Sequence, residues 1–222
     1  MPDPKINSLL KFDGGTKELW QRIVDLVESA EEFIFPEKGH PIYRLLEQIS
    51  DDERRAPSAW IRKAITDGGF PALALARSIR SRRRSHKERG SALGDAELEK
   101  LFELSEFSAI RRLNLFFCGV TDAGAKALAA SSNGKQLFAL NLTNNRIGPQ
   151  GAVALVESIQ LPSLRELRLG RNPIGDKGVL TIANTPLLSR LQVLDLSECG
   201  LSDLGKKALV SSRHVGDCDL IL

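Results

Sequence analysis

The sequence predicts an α/β fold: a short right-handed solenoid with parallel strands on its concave side and helices on its convex side, preceded by an all-α N-terminal region. Three observations predict it. The pattern Leu164-Arg165-Glu166-Leu167-Arg168-Leu169, then Asn172 and Ile174, returns as Leu191-Gln192-Val193-Leu194-Asp195-Leu196, then Cys199 and Leu201. Sliding back 27 residues gives Leu137, Leu140, Leu142, Asn145 and Ile147, and 27 more gives Ile110, Leu113, Leu115, Cys118 and Val120. Second, each copy opens with strand-like alternation and continues with helical spacing, so one strand and one helix belong to each period. Third, the residues before the repeats place apolar side chains at three- and four-residue steps, the pattern of amphipathic helices.

Composition sets the class. The chain has 222 residues, 42% hydrophobic and 27% charged, ordinary for a globular protein of one or two domains. No apolar run reaches the roughly 18 residues a membrane span needs. Met1-Pro2-Asp3-Pro4-Lys5 lacks the basic-then-apolar layout of a secretory signal. Three cysteines, an odd number, fit a reducing compartment. The expected localisation is therefore cytoplasmic, with the nucleus as the alternative that the basic run described below would allow.

The helical region is expected over residues 1–88. Leu19, Trp20, Ile23, Val24, Val27, Ala30 and Ile34 make one apolar face of a helix from Thr16 to about Phe35, closed by Pro36 and Gly39. A second helix starts at Pro41 and buries Ile42, Leu45, Leu46 and Ile49. A third opens at Pro57 or Ser58, carries Trp60, Ile61, Ala64 and Ile65, and stops at Asp67-Gly68-Gly69. A fourth starts at Pro71, with Leu73, Leu75, Ala76 and Ile79. Such helices form a small bundle or a cap over the end of the solenoid.

That fourth helix runs into a basic helix or linker. Arg80, Arg82, Arg83, Arg84, Lys87 and Arg89 against Glu88 put +5 into ten residues, so the formal +3 of the whole chain leaves −2 elsewhere. The functional reading is an electrostatic footprint for nucleic acid, an acidic membrane or an import receptor. The plainer reading, a solvated linker, is favoured, because His86 is the lone ring available for base stacking between Arg77 and Arg89.

The repeat domain is expected over 89–222. Leu93-Gly94-Asp95-Ala96 and Leu101 sit 27 residues before Val120-Thr121-Asp122-Ala123 and Leu128, which marks a helical half-repeat at 92–108. Its strand would fall near Arg83 to Glu88, too charged to enter a core, so an N-terminal cap without a strand is expected. Four full repeats follow at 109–216, and a truncated strand at 217–222. In each copy the first, fourth and sixth places point inward and the third and fifth outward. The ninth place is Cys118, Asn145, Asn172 or Cys199, where asparagine can both donate and accept a hydrogen bond and cysteine is the weaker, smaller substitute. Thr121-Asp122, Pro149, Asp176 and Ser202-Asp203 then start the helices. Gly124, Gly151, Gly178 and Gly205 lie in register inside them, and since a mid-helix glycine costs about 1 kcal/mol, they imply close packing on the neighbouring coil. The last strand is read in the same register, with Cys218 and Ile221 at the places of Leu191 and Leu194, and Leu222 at that of Asp195.

The L-x-x-L-x-L-x-x-N/C-x-L core, the 27-residue period and the Asp-x-Gly after the Asn/Cys loop resemble leucine-rich repeats of the ribonuclease-inhibitor type. The resemblance covers 92–222. It implies a protein-binding scaffold, and by analogy with members of that subfamily a regulator of a small GTPase or hydrolase is the second reading.

No catalytic constellation appears. His40, His86 and His214 lie in no motif with a nucleophile, and no glycine-rich phosphate loop follows a strand. Cys199, His214 and Cys218 lack the paired spacing of structural zinc. Cys118 and Cys199, three coils apart, are separated by about 14 Å, beyond disulfide reach. No catalytic site, cofactor, metal or small-molecule substrate is expected. What remains is the concave sheet, whose outward places form four rows: Arg112, Ala139, Glu166 and Val193; Asn114, Asn141, Arg168 and Asp195; Phe116, Thr143, Gly170 and Ser197; Phe117, Asn144, Arg171 and Glu198. The expected function is non-catalytic binding of a protein partner on this face, through Arg112, Asn114, Phe116, Phe117, Asn141, Asn144, Glu166, Arg168, Arg171, Asp195 and Glu198, completed by the N-terminal helices. The competing expectation for single residues is that Phe117 packs under those helices and Arg168 pairs with Glu166, Asp195 or Glu198. An Arg82→Ala/Arg83→Ala/Arg84→Ala triple variant should elute from heparin at the same salt as wild type if the run is a linker, and markedly earlier if it binds polyanions.

Overall fold

The structure, a computed structural model, describes residues 9, 14–29, 46–50, 54–68, 76–80 and 93–222. Strands of three residues each recur once per coil: β1 (Ser78–Arg80), β2 (Arg112–Asn114), β3 (Ala139–Asn141), β4 (Glu166–Arg168), β5 (Val193–Asp195) and β6 (Asp219–Ile221). They form one parallel sheet in sequence order. The helices are α1 (Thr16–Ser29), α2 (Ser58–Asp67), α3 (Asp95–Glu103), α4 (Asp122–Ala130), α5 (Pro149–Glu157), α6 (Gly175–Asn184) and α7 (Asp203–Val210). From α2 to α7 each packs on its successor, making the convex layer. Ile110, Leu113, Leu115 and their counterparts in the next three coils fill the space between the layers, each at most 4% exposed.

The N-terminal end departs from the expectation of a strandless cap. Residues Ser78–Arg80, expected to continue a helix, form β1, and Ser78 pairs with Arg112 34 positions later rather than 27. The first coil is longer, so a 27-residue slide lands on the charged Arg83–Glu88 and misses the strand. Ile79, 1% exposed, takes the inward place that Leu113 takes in β2. The ladder reaches back further still. The Arg54 carbonyl accepts from the Arg77 and Ser78 amides, as that of Arg77 accepts from Arg111 and Arg112, and that of Arg111 from Phe138 and Ala139. Arg55 bridges Ser78 in parallel, and α2 follows as the convex helix of that rung. The stack therefore crosses the boundary expected between residues 88 and 89.

Helix α1 closes this end. Its Leu19, Trp20, Ile23, Val24, Leu26 and Val27 are buried in the same core as the repeats. Trp20 Nε1 donates to the Arg55 carbonyl at 3.1 Å, and its ring meets Trp60 edge-on with centroids 5.9 Å apart. Leu46 and Ile49, expected on the second helix, are also buried, while Ala30, Ile34 and Pro41 to Leu45 lie outside the described residues, as does the stretch from Gly69 to Leu75.

Between coils, the ninth place does more than hold its own loop. The Asn145 Oδ1 accepts from the amides of Cys118, Gly119 and Val120 in the preceding coil at 2.8–3.0 Å, and its Nδ2 donates to the Leu115 and Leu142 carbonyls. Asn172 repeats this with the Ile147 amide and the Leu142, Leu169 and Gly170 carbonyls. Cys199 keeps one such bond, Sγ to the Leu169 carbonyl at 3.2 Å. An asparagine thus satisfies groups in two coils, each bond being worth about 1 kcal/mol net and more if left broken.

A second ladder runs along the helix starts. Thr121 and Ser202 cap their own helices, but the first-turn aspartates Asp95, Asp122 and Asp176 bond the next coil. Asp95 accepts from the Thr121 amide and hydroxyl, Asp122 from the amides of Gly148 and Gly151, and Asp176 from those groups of Ser202. The registered glycines make room for these carboxylates: a Cβ on Gly151 would stand 2.5 Å from Asp122 Oδ1 and 3.0 Å from its Cα. At the one coil where Pro149 replaces the aspartate, α6 begins with no side-chain cap.

A third ladder closes the helix ends. The hydroxyls of Ser131, Ser158 and Ser212 donate to the Phe102, Ala129 and Ala183 carbonyls of the preceding helix. Where Thr185 takes this place, the Arg190 guanidinium bonds the Val156 and Ser158 carbonyls instead, and burial lowers its pKa.

The last strand is also a correction. Leu194 pairs with Leu220 and Asp195 with Ile221, 26 positions on, so this coil is one residue shorter than the others. A one-residue slip exchanges the two faces of a strand. Here it turns Leu220 and Leu222 toward the core and leaves Ile221 outward, 37% exposed, whereas the 27-residue register would bury Ile221 alone.

Two predictions follow from the aspartate ladder. Gly151→Ala, which in an open helix stabilises by about 1 kcal/mol, should destabilise by about 1–3 kcal/mol in urea unfolding. Asp122→Ala alone should cost about 1–2 kcal/mol, and the double variant less than the sum, because the carboxylate is half of the clash. The hydroxyl and then the amide of Ser202 hold Asp176 below its ordinary pKa. Its contribution should be complete above about pH 4 and lost as pH falls through the lowered folded value. Asp176→Asn should flatten that acid limb of the melting curve.

Candidate functional site

Strand pairing brings the expected rows together in the expected order. Arg112, Ala139, Glu166 and Val193 stand in register, as do Asn114, Asn141, Arg168 and Asp195. The structure extends both rows: Ser78 and Arg80 precede them and Asp219 and Ile221 follow. With Arg55 beside Ser78, the sheet spans about 29 Å rather than the 14 Å of four strands, at roughly 4.8 Å per step.

A concavity of about 420 Å³ lies over β1 to β4, lined by Arg55, Ser78, Arg112, Asn114, Ala139, Asn141, Glu166 and Arg168. Sequence reasoning missed Arg55 and Ser78, since neither falls in the 27-residue register. The side chains here divide by what the fold already asks of them. Arg112 and Glu166, two strands apart, form an ion pair at 3.5 Å, and Ala139 between them is small enough to be spanned and is 8% exposed. Asn114 Oδ1 accepts from the Phe116 amide and Asn141 Oδ1 from the Thr143 amide, closing the turn as each strand ends. Asp195 does the same for Ser197, through both amide and hydroxyl. These three are thus partly structural, and the carboxylate of Asp195 is engaged by its own loop.

Arg168 differs. It is exposed, and no Glu166, Asp195 or Glu198 ion pair claims it; among the described residues it has no salt bridge at all. The amide NH2 groups of Asn114 and Asn141 likewise donate to nothing among the described residues, because the turn uses only their oxygens. The centre of the face therefore offers hydrogen-bond donors.

The rim carries the fourth row. Phe117, Asn144, Arg171 and Glu198 all have left-handed backbones, φ 54–59°, where the chain turns out of the sheet. Arg171 and Glu198 pair at 2.8 Å, and Glu198, by hydrogen bond and then by charge, raises the guanidinium pKa. Both are more than half exposed, so the pair adds little to stability. Phe116 and Phe117 are half-buried, with ring centroids 6.4 Å apart.

Of the basic run, Arg80 lies in β1, and Arg82, Arg83, Arg84, Lys87 and Arg89 fall outside the described residues, in the connection from β1 to α3. Cys199 is buried and its thiol is pushed up by desolvation, which suits the ladder bond it makes rather than chemistry. Among the described residues no group of side chains has the makings of a metal site, and no helix is long and apolar enough to cross a membrane.

Comparison with known proteins agrees with this architecture. A family model described as a leucine-rich repeat matches residues 110–129, 137–156, 160–183 and 189–210. No curated protein matches the chain. Among solved structures, the actin-binding site 2 of leiomodin-1 is 19% identical and superposes with a TM-score of 0.50 over 72% of this chain and 90% of its own. The C-terminal domain of a Caenorhabditis elegans tropomodulin is 13% identical, TM-score 0.48, over 71% and 90%. An internalin from Listeria monocytogenes is 17% identical, TM-score 0.38, over 68% and 49%. At these identities the likeness is one of fold. Residues 110–210 thus carry four matched leucine-rich repeats, stacked in the register of Leu113, Leu140, Leu167 and Leu194.

Proposed function

We propose that the chain is a non-catalytic interaction module that binds a protein partner on its concave sheet. One observation carries the reading: the turns use the oxygens of Asn114 and Asn141, and the NH2 groups of both, with the exposed Arg168 guanidinium, are left unclaimed among the described residues. Three ladders already satisfy the coil-to-coil polar groups, so stability gives no reason for a bare guanidinium over the centre of the sheet. Aromatic and arginine side chains are the usual anchors of protein interfaces, and Phe116, Phe117, Arg112 and Arg171 flank that centre. We assign the repeats to the ribonuclease-inhibitor type, on the 27-residue period and the Asp-x-Gly ladder, and the protein to the cytoplasm, on its odd number of cysteines.

The test is an affinity capture comparing wild type with Arg168→Glu/Arg171→Glu and with a convex-face variant, Lys206→Glu/Lys207→Glu. A concave-face partner should be lost from the first variant, at least tenfold by quantitative mass spectrometry, and kept by the second. Equal recovery with wild type and the Arg168→Glu/Arg171→Glu variant would overturn the assignment of the face.

A further inference from the structure

From the charge and donor pattern of the concavity we infer the chemistry of the partner: an extended acidic segment, with carboxylates seated over β1 to β4. This rests on the reading of the concave face as the binding surface. Three arginines line the concavity, Arg55, Arg112 and Arg168, against the single carboxylate of Glu166. Arg112 neutralises Glu166, so the positive charge of Arg55 and Arg168 is left over. Between those guanidiniums the amide NH2 groups of Asn114 and Asn141 are free, because the turn amides of Phe116 and Thr143 hold the oxygens. The one carboxylate in the same row, Asp195, takes both Ser197 bonds on its Oδ1 and forms no ion pair with Arg168. A carboxylate takes two such donors at once, and a guanidinium binds it bidentately.

Spacing limits the segment. Asn114 and Arg168 are two strands apart, about 10 Å at roughly 4.8 Å per step, which matches side chains three residues apart on a segment in the extended polyproline-II form, about 9 Å apart and on one face. Charge limits it as well. Beyond Arg168 the face turns acidic at Asp195 and Asp219, Glu198 being paired with Arg171, so a polyanion with a charge at every unit would be repelled over β5 and β6. A short acidic peptide ends where the positive surface ends; a nucleic acid does not. The acidic class is therefore favoured over nucleic acid.

The test uses the full chain and labelled probes in fluorescence anisotropy: a twelve-residue peptide with two Glu-x-x-Glu pairs, its Lys-x-x-Lys counterpart, and a single-stranded DNA oligonucleotide. Wild type should bind the acidic peptide, and Arg168→Glu should weaken it roughly tenfold or more, which is what replacing a charge-assisted bond by repulsion predicts. Lys206→Glu, an equal charge change on the convex helix, should leave it unchanged. Equal weakening by Lys206→Glu, or tighter binding of the oligonucleotide or the basic peptide, overturns the inference. A photo-crosslinker replacing Thr143, at the centre of the face, separates the two levels of the argument. A crosslinked partner segment rich in Asp and Glu supports the acidic class. A neutral or basic segment overturns it and leaves the concave face standing. No crosslink to any protein overturns both.

Discussion

The structure depends on satisfying backbone polar groups where the chain leaves the sheet. Each coil makes only a three-residue strand, so the amides just beyond it cannot all find partners in a neighbouring strand. The Asn145 side chain answers for three of them in the coil before its own, and its amide ties two coils through their carbonyls. A residue that bonds backwards by 25–27 positions makes stacking and local folding the same event. The aspartates and serines bond across coils in the same manner, so no coil is complete without its neighbour.

That dependence also explains what the concave face is free to do. The three ladders lie at the strand exits, the helix starts and the helix ends, all away from the centre of the sheet. Outward side chains of β2 to β5 are needed for little beyond the Asx-type bonds of Asn114, Asn141 and Asp195. Their chemistry can therefore vary without disturbing the stack. The Arg112–Glu166 pair across Ala139 shows the scale of this freedom: it joins two outward side chains two strands apart on the surface of the sheet.

Much of this was legible in the sequence because the inward places repeat without interruption. Leu140, Leu167 and Leu194 fixed the register, and the two rows of outward strand residues came out in the order the sheet presents. The glycines were legible as a packing need, but not the partner that fills the space, since an aspartate 29 residues earlier is invisible to a period of 27. The two ends were misread for one reason. At Ser78 the coil is 34 residues long and at Asp219 it is 26, and a fixed period cannot see a change of length. Burial chose the strands there: Ile79 fills an inward place that Arg83 to Glu88 cannot, and the shorter last coil turns two leucines inward instead of one isoleucine. Arg55 was missed because its rung is a single bridge with no leucine pattern around it.

The rim adds an argument of its own. The residue leaving each strand must adopt a left-handed backbone, where glycine sits freely and asparagine with little strain. Only Asn144 of the four meets that preference; Phe117, Arg171 and Glu198 hold the conformation against about 1 kcal/mol each. An exposed Arg171–Glu198 pair returns at most about that much for two strained residues, so self-stability does not account for them. Backbone strain retained without a stabilising return is found where a side chain serves a surface. The rim row and the bare Arg168 therefore support the same proposal, that a protein partner binds the concave side of the stack.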